Sequence, residues 1–237
     1  MLPSTLWQVG VAELLSSRRS TFIKVIFPTV VGGLYLFVAP SGFFTASLIT
    51  VLAAVTGCFG TGITLSRARS EGVLQRITLT PLSRRRIVLE QLAINSAVDF
   101  CQMLPLALLT SMKFEAYDLR LLTLLLALGV ALVAANLLGL LMIILATTVG
   151  EAMLYSSLAL FPLLYIGGVF TPVGLEGTRA ILSSTVPFSC LQQALLAVIG
   201  ESPAWPALRV VETSVVAGAG MLLVAALVGP RVLRFEP

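Results

Sequence analysis

Residues 119 to 149 form one long apolar stretch with a single charged residue, Arg120, near its start. A stretch of this kind cannot lie on the surface of a water-soluble domain. Wound as a helix at about 1.5 Å per residue, roughly 20 residues suffice to cross the hydrocarbon of a bilayer. Five further apolar stretches repeat the pattern, at about 22–39, 43–65, 87–109, 152–170 and 210–228. The chain is 57% hydrophobic and only 11% charged, more apolar surface than a soluble fold of 237 residues can hide. The expected fold is therefore an all-α integral membrane protein, with one transmembrane domain over residues 1–237 and six spans. The first span is short, contains Pro28, Gly32 and Gly33, and requires Lys24 to reach back to the interface. The fourth is longer than a bilayer needs and is expected to tilt or emerge.

Other functions are disfavoured by what the chain lacks. There is no histidine, so the commonest general base and metal ligand is missing. Cys58, Cys101 and Cys190 are far apart and show no CxxC spacing, so no metal site or disulfide framework is expected. No paired carboxylates and no nucleophile–base arrangement stand out, and no catalytic residue is assigned. Glu13, Arg18 and Arg19 interrupt the apolar core that a cleavable leader would need.

Charge sets the expected orientation. Eleven of the fifteen Lys and Arg residues precede or open the first span, lie between the second and third, or follow the sixth. The other four are Lys113, Arg120, Arg179 and Arg209. The positive-inside rule places both termini in the cytoplasm of a multi-pass protein of the cell membrane. The net charge of +4 then reflects topology and lipid headgroups, with no nucleic-acid partner.

Two segments are neither span nor plain loop. Within residues 1–21, Trp7, Val11, Leu14 and Leu15 share one helical face opposite Glu13 and Ser16, as an interfacial helix requires. Residues 177–199 are apolar but broken at Pro187, and each half is too short to span. A pair of helices re-entering the outer leaflet fits, with any non-helical backbone covered by protein or facing water.

The connection between the second and third spans, residues 66–86, is much longer than a hairpin needs. In its "EGVLQRITLTPLS", residues 71–79 place Val73, Leu74 and Ile77 on one helical side, and Thr80-Pro81 ends the helix. An amphipathic helix exposed there suits docking into a partner's groove. The stretch resembles the E-x-G-x-L…(S/T)-P-L-(S/T) motif of ABC-2 type membrane permeases, through Glu71, Gly72, Leu74, Thr80, Pro81, Leu82 and Ser83. Val73 stands where that family usually has Thr or Ser. A second passage, "GGVFTPVGLEG" followed by Pro187, resembles the family's entry into its outer re-entrant helices, with Gly177 where a Pro is common.

The resemblance implies the transmembrane subunit of an ABC exporter. It implies two copies of an ABC ATPase as partners, and a dimer formed with a second permease copy or a sister permease. Glu71, Gly72, Val73, Leu74, Ile77 and Pro81 would form the ATPase-coupling helix. The chain has no G-x-x-x-x-G-K-(S/T), and its only lysines are Lys24 and Lys113, so ATP and Mg would be bound by the partner and no cofactor by this chain. A chiefly apolar interior suits export of a hydrophobic or amphipathic drug, antibiotic, lipid or glycolipid, with multidrug efflux the reading the family weights most.

The third span carries Gln91, Asn95, Asp99 and Gln102 at spacings that form one polar stripe. A carboxylate near mid-membrane costs about 2.5–3.5 kcal/mol on insertion scales, so Asp99 should face protein or water, be paired or be protonated. Two readings stand. The stripe lines a translocation path or gate, or it hydrogen-bonds to a neighbouring helix, for instance at Asn136 of the fourth span. Asp99 also opens an alternative function, an ion-gradient-driven secondary transporter, although the internal repeats common in that class are not evident. Gly57, Gly60 and Gly62 in the second span suit close helix packing or a flexible gate.

Overall fold

A computed structural model describes residues 18–70, 83–173 and 177–232. Those residues form eight helices and no strands. In chain order they are α1 (Arg18–Val38), α2 (Gly42–Ser70), α3 (Arg84–Lys113), α4 (Leu119–Leu145), α5 (Val149–Ile166), α6 (Thr178–Thr185), α7 (Pro187–Ile199) and α8 (Ala207–Val232). The interfacial-helix residues 1–17 and the coupling residues Glu71, Gly72, Val73, Leu74, Ile77 and Pro81 lie outside the described part.

Helices α2, α3, α4, α5 and α8 are each long and apolar enough to cross a bilayer. The fold is an all-α integral membrane bundle. Its outer surface carries Phe27, Leu34, Phe37, Leu154, Phe161, Val216 and Leu223, all exposed, a surface stable only against lipid or another apolar partner. Helix α4 is the centre. It packs most extensively against α2 and also contacts α3, α5, α7 and α8. Its inward positions are small or branched: Ala127, Ala131, Leu132, Ala135 and Gly139 are buried. Small side chains let helix backbones approach where dispersion must do the work of association.

Several ends depart from the hydropathy limits, for local reasons. α4 stops at Leu145 and not near residue 149, because Ala146 is extended (ψ 141°) and Thr148 caps α5 by accepting from the Glu151 amide at 3.2 Å. α5 stops at Ile166 and not near residue 170, since Gly167 caps it and Gly168 takes φ +79°, a conformation that favours glycine. α2 runs five residues past the expected Leu65, to Ser70, and α3 begins at Arg84, with Ser83 accepting from the Arg86 amide at 3.4 Å. The prolines inside α1, α3 and α5 (Pro28, Pro105 and Pro162) leave each helix continuous.

The break in residues 177–199 falls at Val186–Pro187, where α6 and α7 meet at 94°. Both ends of this pair lie at one end of the bundle. The Gly42 amide donates to Glu201 just beyond α7 at 3.1 Å, and Arg179 at the start of α6 donates to the Tyr165 carbonyl near the end of α5 at 2.7 Å. α7 starts at the break beside Gly167 and, at about 1.5 Å per residue, runs about 18 Å back to Ile199 beside Gly42. This bend fits the re-entrant pair expected from the sequence. Phe188 through Leu196 are all buried, so the bundle covers the break.

Candidate functional site

The polar stripe of α3 faces α2 and α4. Asn136 of α4 is fully buried, and its Nδ2 donates to the Leu132 carbonyl at 2.9 Å and to Asp99 Oδ2 at 2.8 Å. The carbonyl can only accept, so the amide has one orientation and Oδ1 faces α2. There it accepts the Thr61 hydroxyl proton. The Thr61 oxygen in turn accepts from Asn95 Nδ2 at 2.9 Å, and Asn95 Oδ1 accepts from Gln91 Nε2 at 3.1 Å. Every donor in the chain Gln91–Asn95–Thr61–Asn136–Asp99 points the same way and ends on the carboxylate, an acceptor-only group when ionised. Such aligned bonds polarise one another.

Three of these bonds join different helices: α3 to α2, α2 to α4, and α4 back to α3. Interhelical hydrogen bonds in membranes average about 0.6 and reach about 1.7 kcal/mol. The triangle therefore contributes about 2–5 kcal/mol to holding α2, α3 and α4 together. The structure brings Gln91, Asn95 and Asp99 into one network, with Gln102 buried one turn further along the same face. The tie to Asn136 is the interhelical contact anticipated from sequence.

Thr61 is the member that sequence reasoning missed. Threonine in a membrane helix commonly bonds back to the carbonyl four residues earlier, as Thr64 does to Gly60 at 2.8 Å, so a lone Thr gives no signal. A second missed contact fastens the re-entrant pair. Thr50 donates to Gln192 Oε1 at 3.0 Å, and Gln192 Nε2 donates to Ser47 at 3.1 Å. Two of the three glycines noted in α2 lie beside the network. A Cβ on Gly57 would lie 2.7 Å from Ala135 Cβ, and one on Gly60 3.8 Å from Asp99 Oδ1.

An apolar groove of about 440 Å³ opens between α4, α5 and α8 beneath the α6–α7 break, with Leu138, Leu163, Phe188 and Met221 in its wall. No three His, Cys, Asp or Glu side chains among the described residues are grouped to hold a metal ion. Two ion pairs, Arg86–Glu90 and Arg120–Asp118, sit near the starts of α3 and α4.

The bundle of long apolar helices is that of a multi-pass membrane protein. Residues 4–199 match the model of the ABC-2 type transporter family. This chain belongs to the ABC-2 type transporter family. No curated protein and no solved structure matches it. As a member of that family it is a transmembrane transporter subunit, a multi-pass membrane protein that takes part in transport and is not itself catalytic. Permeases of the family generally partner with an ABC ATPase.

Proposed function

We propose that this ABC-2 permease is the membrane half of an ATP-driven exporter that moves a hydrophobic or amphipathic molecule out of the cytoplasm or the inner leaflet. Two copies of a separate ATPase supply ATP hydrolysis, and a second permease completes the path. Both termini and residues 71–82 face the cytoplasm, in keeping with the charge asymmetry. Glu71, Gly72, Val73, Leu74, Ile77 and Pro81 form the coupling surface.

The observation that carries this reading is the polar chain between α2 and α3, the two helices that flank residues 71–82 in sequence. A force applied to that segment enters two helices already tied to each other and to α4. Gln91, Asn95, Asp99 and Gln102 serve as the lock on the translocation path, and transport parts them. The apolar groove supports an oily cargo. An ion-gradient carrier working through Asp99 draws less support, because Asp99 ends a packed chain of donors on two other residues' terms: Asn136 is held by Leu132, and Thr61 by Asn136.

The test is Leu74→Asp. Replacing apolar burial on the partner, worth about 25 cal/mol per Å², by a charge should cost a few kcal/mol of docking. The variant is expected to insert in the membrane, lose the ATPase on pull-down from detergent, and fail to export. Wild-type retention together with wild-type export would reduce residues 71–86 to a charged topology anchor.

A further inference from the structure

Arg69 lies in the last turn of α2, two residues before Glu71. One of its guanidinium nitrogens, Nη1, donates to the Ile143 carbonyl at 3.3 Å and to the Ala146 carbonyl at 3.0 Å. Ile143 is among the last four residues of α4, whose carbonyls have no partner within the helix, and Ala146 begins the connection to α5. A cation there also meets the negative end of the helix dipole. The connection itself has little slack. It is three residues long, Ala146 to Thr148. Glu151 Oε2 accepts from the Thr147 amide and hydroxyl, both at 2.8 Å, while Thr148 Oγ1 accepts from the Glu151 amide. This reciprocal capping makes the link and the first turn of α5 one rigid piece.

We propose that Arg69 is a positioning residue that ties the α4–α5 link to the end of α2, so that movement of residues 71–82 reaches α5 as well as α2 and α3. The proposal rests on the functional reading above only in that the movement originates with an ATPase. The tie itself is a property of the permease. Its consequence is that one arginine, which sequence alone counts as a topology charge, sends the partner's motion toward α5, and so to the wall of the apolar groove to which α5 contributes Leu163.

Two measurements separate the tie from its role. In the isolated permease in nanodiscs, Arg69→Met removes the donors and keeps bulk. Exchange of the Ala146–Thr148 amides should speed up by about tenfold or more, the change expected when a charge-assisted hydrogen bond is lost. Arg69→Lys, which keeps the charge, should fall between. Equal protection in wild type and Arg69→Met would overturn the tie. For the role, spin labels go on α2 at exposed Thr64 and on α5 at Gly150, where an added side chain meets nothing within 4 Å. Exposed Cys101 is changed to Ser beforehand. With the ATPase bound, the distance should stay fixed between nucleotide-free and vanadate-trapped states in wild type and change in Arg69→Met. Identical distance changes in both would overturn transmission through Arg69. A wild-type permease that retains no ATPase would overturn the functional reading and the transmission with it, while amide exchange would still decide on the tie.

Discussion

Gly139→Ala tests whether the α2–α4 seam is what the bundle is built around. A Cβ on Gly139 would overlap the Cys58 carbonyl oxygen and stand 3.1 Å from its carbon and 3.3 Å from the Cys58 Cα. These are backbone atoms, so no side-chain rotation relieves the overlap, and α2 must move away from α4. A retreat of 0.5–1 Å forfeits about a quarter to a half of each dispersion contact along the seam. It also stretches the Thr61–Asn136 bond one turn away. Overpacking of this kind typically costs about 1–3 kcal/mol, against which the better helix propensity of alanine returns about 1 kcal/mol or less. The net expectation is a loss of about 1–2 kcal/mol, weighting the lost interhelical bond at up to about 1.7 kcal/mol. The assay is unfolding in mixed micelles titrated with SDS, followed by fluorescence of Trp205, which is buried under Arg209. Gly220→Ala in α8, where a Cβ meets nothing within 4 Å, is the control and should unfold no earlier than wild type, gaining up to about 1 kcal/mol from helix propensity alone. Gly57→Ala sharpens the argument, because its nearest obstacle is a side chain, Ala135 Cβ at 2.7 Å. Adding Ala135→Gly should recover much of that loss, whereas no side-chain substitution should rescue Gly139→Ala. If Gly139→Ala and Gly220→Ala unfold at the same SDS fraction, the close backbone approach is not a source of stability and the reasoning fails.

Three further outcomes are expected. Asp99→Asn keeps an oxygen to accept from Asn136 and should keep transport, whereas Asp99→Leu should lose about 1–2 kcal/mol in the same SDS titration and lose transport; matching behaviour of the two variants would remove the carboxylate from the lock. Gln192→Leu strips α7 of its bonds to Thr50 and Ser47 and should also cost about 1–2 kcal/mol, with faster proteolysis near exposed Gly200 as an independent readout; an unchanged digestion pattern would mean that packing alone seats the re-entrant pair. With Cys101 replaced by Ser, an impermeant maleimide should label Glu115→Cys on intact cells and Thr147→Cys only after permeabilisation; the reverse pattern would invert the proposed orientation.

What could be read from sequence follows the range of the interactions involved. Apolar runs, the Pro187 break and the spacing of Gln91, Asn95 and Asp99 are local patterns, and each survives into the structure as a helix, a bend or a shared face. The end of α4 was also local in principle. Thr148 and Glu151 form an S/T-x-x-E capping box, but an apolar window running to residue 149 passes over it. The contacts that build the site are of another kind. Thr61, Asn136 and Asp99 meet only after three helices have chosen neighbours and rotations, and the choice depends on which backbones can approach. Gly139 is one glycine among nineteen in the sequence, and nothing beside it in the chain marks it as the place where α4 meets Cys58. Arg69 shows the same limit from the side of charge. In sequence it is one of eleven positive residues that set orientation, and its bonds to Ile143 and Ala146 cross more than seventy residues of chain. The two roles are physically compatible. A guanidinium held at the membrane boundary by helix carbonyls remains a full positive charge there, so the residue that orients α2 can also fasten α4 to it.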